Sequence, residues 1–443
     1  MNKEITIVGA GWAGLAAAVE LSRNGHKVTL YESAKQAGGR ARELEHRGHK
    51  LDNGQHLMIG AYQQMLELLQ AVGIKEYEVF LRIPQWLCII DYLQKKPVFE
   101  LKLPRLPAPW HLLLGIFKCP SLTWPEKIQT LFRFNHLLKK EIPQDTSVDQ
   151  WLASAKLPAH YVSYLLKPLC LAALTTHTTE ASARAFQSVL RQTFNGPACN
   201  TDLLIAKTSL GDVFPQGAIS YIESQGGQVF MEHRVSKINT SGKHVDSIIV
   251  NDKTVEVNQL ILATPATVTH KLLQDIVACE PIIEQLQQLD HEPVTTVYCQ
   301  YATSTRLPQP IMGIINASAE WLFDRRVCEQ PGLIAAVISA GGEHMTMDKQ
   351  ALATTITKEL QQLFPHWPAP DNVLVIREKH ATIRCHSQVD LHRPTIQTAL
   401  DNLHLCGDYV YIEENNQAGL PSTLEAAVRS GVKCAQNLIK ELI

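Results

Sequence analysis

The sequence predicts an α/β protein in which a Rossmann-like nucleotide-binding domain is interleaved with a mixed α+β domain. Three observations carry this expectation. A glycine loop, Gly9-Ala10-Gly11-Trp12-Ala13-Gly14, sits between an apolar strand and a helix at the start of the chain. Strand-like segments return after residue 228 and again near the end, at Leu403-His404-Leu405-Cys406. Between them lie stretches of different character, rich in proline and bulky apolar residues. The two kinds of segment alternate, so the domains are woven together rather than consecutive.

The elements follow in order. Ile5 to Val8 is apolar and β-branched, Ala13 to Leu21 is an alanine-rich helix closing at Asn24-Gly25, and Lys27 to Tyr31 is a second strand. Two parallel strands need a crossover, which the helix supplies. Residues 60–75 predict another helix, through Tyr62, Met65, Leu66, Leu68, Leu69 and Val72. From about 78 to 205 proline is frequent (Pro84, Pro97, Pro104, Pro107, Pro109, Pro120, Pro125), and a mainly helical domain is expected. Further strands are expected at Gln228–Met231, Val235–Ile238, Ser247–Val250 and Gln259–Ala263, and a closing helix near Ser422. The resulting division assigns 1–77, 206–270 and 395–443 to the nucleotide-binding domain. It gives 78–205 and 271–394 to the substrate domain, the first of these also carrying any membrane contact.

Composition narrows the function. The 443 residues are 45% hydrophobic and 19% charged, with a net charge of −2, so neither a nucleic acid nor a polyanion is an expected partner. Met1-Asn2-Lys3-Glu4 runs straight into the first strand and no apolar window approaches a membrane span, which predicts a cytoplasmic protein. The ten cysteines are scattered without a CxxC pair, so neither a disulfide framework nor a zinc or other metal site is expected.

The glycine loop has a defined physical task. Gly9 makes the tight turn, Gly11 lets backbone approach a pyrophosphate, and Gly14 lets helix and strand pack closely. Trp12 and Ala13 open the helix whose N-terminus faces the phosphates. Glu32 ends the second strand, where an acid accepts hydrogen bonds from the ribose hydroxyls. Gly38-Gly39-Arg40-Ala41 follows, with Arg40 returning to the pyrophosphate and Arg42 as a second cation. Far along the chain, Gly407-Asp408 ends a strand and suits ribityl hydroxyls or pyrophosphate. Ser422 and Thr423 begin a helix whose free N–H groups suit the negative charge of a reduced flavin. Val235, opening its own strand, joins this set of cofactor-binding candidates. Sites at the beginning, early middle and end of the chain predict FAD rather than NAD. The block 419–431 contains neither cysteine nor aromatic residue, and the FAD is expected to be bound non-covalently.

These residues resemble the flavin oxidoreductases that include amine oxidases and carotenoid desaturases. Within that family the similarity is greatest to the bacterial hydroxysqualene dehydroxylases, also called squalene-associated FAD-dependent desaturases. It is carried by 52–62 (DNGQHLMIGAY), 168–174 (PLCLAAL), 377–379 (REK) and 419–431 (GLPSTLEAAVRSG). The chain departs from the family pattern at His380-Ala381-Thr382-Ile383, at Thr175, and in an acidic stretch with Glu413 and Glu414. The resemblance implies reductive removal of water from hydroxysqualene, giving squalene for hopanoid or related triterpenoid synthesis. The alternatives are an oxidative polyene desaturase or a flavin amine oxidase. It also implies a long apolar isoprenoid substrate. No second dinucleotide motif names the electron donor, and both NAD(P)H and a partner protein stay open as reductants.

The chemistry asks for a proton on the leaving hydroxyl, exclusion of water, and a substrate carbon held near the flavin. His56 is the first candidate acid, with Gln55 and Tyr62 as donors to the hydroxyl. The competing reading makes Asp52-Asn53-Gly54 a hydrogen-bonded turn and His56 a packed side chain. Lys379 is either a flavin neighbour or a solvated lysine. Leu101 to Trp124 mixes Lys102, Arg105 and Lys118 with Leu106, Trp110, Leu112, Leu113, Leu114, Ile116 and Phe117. That pattern suits either a helix lying in a membrane interface, on the inner face of the cytoplasmic membrane, or an ordinary amphipathic helix.

Overall fold

The protein is described by a computed structural model covering residues 4–46, 49–143, 146–412 and 419–442. A five-stranded parallel sheet gathers distant pieces of chain. Its order is Gln228–Phe230, Val28–Tyr31, Ile5–Val8, Gln259–Leu262 and Leu403–Leu405. Ile5 pairs with both Val28 and Gln259, and Leu260 with Leu403. The three central strands are buried but for Gln259 and mostly apolar, as strands covered on both faces must be.

The helix Trp12–Arg23 is buried from Trp12 to Ser22, because it lies between this sheet and the C-terminal helix Leu424–Leu442. Its alanines permit that approach, and Gly431 completes it: a Cβ on Gly431 would stand 2.1 Å from the carbonyl oxygen of Ala13. The C-terminal helix also reaches the helix Gln63–Ala71. The buried Glu425 carboxylate accepts hydrogen bonds from the N–H groups of Gln64 (3.1 Å) and Met65 (3.0 Å) and from Arg429 Nε (2.8 Å). It therefore satisfies two orphan donors of one helix from the first turn of another.

A seven-stranded mixed sheet forms the second half. Its order is Asn372–Ile383, His291–Gln300, Leu333–Ser339, Trp321–Asp324, Ile311–Ile315, Trp86–Asp91 and Lys96–Lys102. One face packs on Leu352, Ile356 and Leu360 of the helix Lys349–Leu363, and the other looks toward the parallel sheet. A layer of helices, Trp110–Lys118, Trp124–Lys139, Val148–Ala155, Lys167–Leu174 and Ala183–Phe194, lies beside it.

Two expectations change here. The stretch 78–205 is not helical from its start, since Phe80–Ile83, Trp86–Asp91 and Lys96–Lys102 are strands. Leu87 and Ile89 enter one core while Cys88 and Ile90 enter the other, so this strand reads as an unbroken apolar run without the alternation that marks one. Leu101 to Trp124 is not one helix either. Leu101 and Lys102 end a strand, Pro104, Pro107 and Pro109 bar helix, and two helices follow that meet at the Phe117–Trp124 ring contact (4.7 Å).

Gly431→Ala is expected to cost about 2–3 kcal/mol by forcing the two helices apart. Thermal unfolding of the FAD-loaded protein checks this, and an unchanged Tm contradicts the packing described.

Candidate active site

The glycine loop shows two different uses of glycine. A Cβ at Gly9 would meet the Ala263 carbonyl oxygen at 2.8 Å, and one at Gly14 the Gly9 oxygen at 2.0 Å, so these positions serve close packing. A Cβ at Gly11 would meet nothing within 4 Å. The open space therefore lies over Gly11, at a helix N-terminus without a side-chain cap, and it fits a diphosphate. Gly38 packs against this loop, its N–H donating to the Ala10 carbonyl at 2.8 Å, and a Cβ on Gly39 would stand 3.2 Å from Gly11 Cα. The two glycine motifs thus form one cradle. Trp12 and Ala41 line it from beneath: both are buried, and the indole donates to the Ala41 carbonyl and packs on Phe214.

Glu32 fixes the far side of the cradle. Its carboxylate accepts from the Ala10 N–H (2.7 Å) and the Ala34 N–H (2.8 Å), and its carbonyl accepts from the His233 N–H (2.7 Å). The last bond brings the segment leading to Val235 alongside. Val235 itself is buried and paired with Val250.

Arg40 is committed to the protein. It donates to Asp408 Oδ1 at 2.5 Å and to the Ala381 carbonyl at 2.9 Å, tying the Gly-Gly loop to the chain's last strand and to the second sheet. The Arg42 guanidinium donates to the Gly39 carbonyl at 3.4 Å. Gly407 has φ of 153° and donates its N–H to Ser430 Oγ at 2.6 Å. Ser422 Oγ accepts from the Ile383 N–H at 3.2 Å, and Thr423 Oγ1 accepts from the Ala426 N–H at 3.2 Å as the C-terminal helix begins. Glu413 and Glu414 lie outside the described residues.

The Asp52–Tyr62 block enters between the two halves. Asp52 and Arg325, exposed by 1% and 2%, form an ion pair at 2.8 Å. The second Asp52 oxygen accepts from the Leu210 N–H (2.9 Å), and its carbonyl accepts from the Tyr298 hydroxyl (3.0 Å). Asn53 donates to Glu378 at 2.9 Å. The same Arg325 nitrogen donates to Gln55 Oε1 at 3.1 Å. A guanidinium only donates, so it fixes the amide with Oε1 toward Arg325 and the NH₂ group turned away.

His56 Nδ1 lies 2.9 Å from the Gly54 carbonyl, which only accepts, so Nδ1 carries the proton of the neutral ring and Nε2 its free lone pair. Burial pushes its pKa below the ordinary histidine value despite that bond. Tyr62 is raised, first by burial and then by the nearby Glu425 carboxylate, and bonds to Thr423. It lies at the junction between the helices Gln63–Ala71 and Leu424–Leu442. Lys379 is exposed.

Sequence reasoning missed Arg325, Glu378 and Glu425. Arg325 follows an apolar strand and precedes a second arginine, which gives no sign that one is buried and the other exposed. Glu425 lies inside the block already singled out, one residue into the helix, where an acid is ordinarily solvated.

Comparisons with known proteins identify the family. Residues 12–439 match the family described as flavin containing amine oxidoreductase. The hydroxysqualene dehydroxylase of Zymomonas mobilis subsp. mobilis is 27% identical, with 97% of each chain covered. A chloroplastic/chromoplastic 15-cis-phytoene desaturase of Capsicum annuum is 26% identical over 99% of this chain and 78% of its own. Among solved structures, an oxidoreductase from Methanosarcina mazei superposes with a TM-score of 0.76 at 14% identity, covering 98% of this chain and all of that one. The chain belongs to the flavin containing amine oxidoreductases, and it is an FAD-dependent oxidoreductase with their α/β fold.

Proposed function

We propose that this chain reduces hydroxysqualene to squalene, replacing an allylic hydroxyl by hydrogen. The observation that carries the reading is full-length similarity to relatives named hydroxysqualene dehydroxylase, at 27% and 26% identity in two bacteria. The whole-length similarity to phytoene desaturases fits a long apolar isoprenoid substrate, and supports polyene desaturation as the second reading.

Gly9, Gly11, Gly14 and Glu32 hold the ADP half of the cofactor in this account, with the backbone at Val235 beside the adenosine. Arg40, Gly407 and Asp408 would hold its centre, and the N–H groups at Ser422 and Thr423 would suit the negative charge of the reduced ring. Reduced FAD supplies the hydride that takes the place of the departing oxygen. The chain's own groups do the rest. The carbon–oxygen bond breaks as the hydroxyl takes a proton and leaves as water. His56 delivers that proton from Nε2 in its imidazolium form, which burial makes a stronger acid than ordinary histidine. The inner face of the second sheet, with Val294, Leu374, Ile376, Val337 and Trp321, excludes water from the cationic carbon.

A membrane supplies such a substrate, and the helical layer has a surface suited to one. On the helix Trp124–Lys139, Phe134, Leu137 and Leu138 are buried, yet Trp124, Ile128 and Phe132 form a second apolar stripe that is exposed by 59%, 51% and 77%. Trp110 and Phe117 of the preceding helix extend it. Lys127 lies over the Trp124 ring, and Lys102, Arg105 and Lys118 stand nearby in sequence. No helix among the described residues is long and apolar enough to cross a membrane, and the stripe suits contact with one leaflet, on the inner face of the cytoplasmic membrane.

Two experiments follow. Anaerobic incubation of chemically reduced, FAD-loaded protein with hydroxysqualene is expected to yield one squalene per flavin. Flavin reoxidation by a polyene or an amine without squalene formation overturns the reading. For the membrane, wild type is expected to sediment with anionic vesicles, while Ile128→Ser/Phe132→Ser stays in solution with unchanged Tm. Equal sedimentation of both rejects this surface.

A further inference from the structure

The strand His291–Gln300 is paired on both sides, with Leu333–Ser339 and with Asn372–Ile383, and its side chains alternate between two environments. Val297 and Cys299 enter the core under the sheet. Val294 and Tyr298 face the cofactor half, where the Tyr298 hydroxyl reaches the Asp52 carbonyl. Thr296 lies between them on this same face. It is 1% exposed, and its Oγ1 has no hydrogen-bond partner among the described residues.

A buried hydroxyl without a partner costs free energy that a valine of the same shape would avoid. Among the described residues nothing supplies that partner. The position of Thr296 says where a bound one would lie. A Cβ built on Gly54 would stand 4.0 Å from Thr296 Oγ1 and 3.9 Å from His56 Cε1. Gly54 has no positive φ that demands glycine, and no atom crowds its missing side chain closer than those two. What its hydrogen keeps open is a small space bordered by the threonine hydroxyl and the imidazole, walled by apolar strands.

We infer that Thr296 binds the hydroxyl group of the substrate in this space, which Gly54 keeps open beside His56. The inference rests on the proposed reaction and deepens it. Thr296 Oγ1 both donates and accepts, so it holds the alcohol oxygen while His56 Nε2 addresses it. Such a site distinguishes the alcohol from the hydrocarbon it becomes: squalene leaves the threonine hydroxyl unpaired again, which favours product release.

The test is equilibrium binding to the oxidised, FAD-loaded protein, which supplies no hydride, with hydroxysqualene and squalene compared. Wild type is expected to prefer the alcohol about fivefold to tenfold, the worth of one buried hydrogen bond. Thr296→Val loses that preference by weakening the alcohol alone, and Thr296→Ser keeps it. Gly54→Ala, whose methyl meets only ordinary contacts, folds as wild type and loses alcohol binding. A melting temperature for Thr296→Val equal to or above wild type, with FAD retained, accompanies these results. Undiminished preference in Thr296→Val, or none in wild type, overturns the inference. Squalene formation by reduced wild type, with Thr296→Val unchanged in binding, sinks this inference and spares the proposed reaction. No squalene from wild type sinks the reaction instead.

Discussion

Asp52 and Arg325 meet where the cofactor half of the molecule touches the second sheet, and neither has contact with solvent to speak of. Asp52 ends the strand His49–Asp52 just beyond the Gly-Gly-Arg loop, and Arg325 opens the short turn Arg325–Cys328 after a sheet strand. Burying both charges is costly, and an apolar pair of the same volume would serve stability equally well. What the pair adds is position. Removing either partner strands a charge, so the two halves dock in one register. Around it Leu210, Tyr298, Gln55 and Gln330 complete the hydrogen bonds that such a site requires.

The turn from Asn53 to His56 hangs from this anchor. Gln55 takes its amide orientation from Arg325, and His56 takes its tautomer from the Gly54 carbonyl. Arg40 adds a second tie between the halves through Asp408 and Ala381, and Glu425 a third between the C-terminal helix and the helix that follows the turn. The turn is thereby held by two ties that cross between the halves and by one within the cofactor half that fixes the helix after it. The helical layer shares the core of this framework and turns an apolar stripe of Trp124, Ile128 and Phe132 outward.

Much of the cofactor half was legible in the sequence. Gly9, Gly14 and the apolar strands obey local rules of turn, close packing and burial, and such rules leave a pattern within thirty or so residues. The parallel pairing of Ile5–Val8 with Val28–Tyr31 followed because a strand–helix–strand unit needs a crossover. The second half was less legible for physical reasons. Leu87 to Ile90 faces two cores at once, which erases alternation. Arg325 pairs with an acid 273 residues away, and no local feature separates it from the exposed Arg326. Thr296 looks like any β-branched strand residue until its hydroxyl is seen without a partner. The Tyr62 bond to Thr423 joins positions far apart in the chain, which no local pattern announces.

The claim at the centre of this account is that the Asp52–Arg325 pair docks the two halves and holds the His56 turn between them. A double-mutant cycle measures it: Asp52→Asn, Arg325→Met and the combination, each followed by chemical denaturation and by FAD affinity. The expected result is a loss of about 3–5 kcal/mol for Arg325→Met alone, with the double variant markedly more stable than the sum of the two losses. Purely additive losses, with FAD affinity untouched, would contradict it.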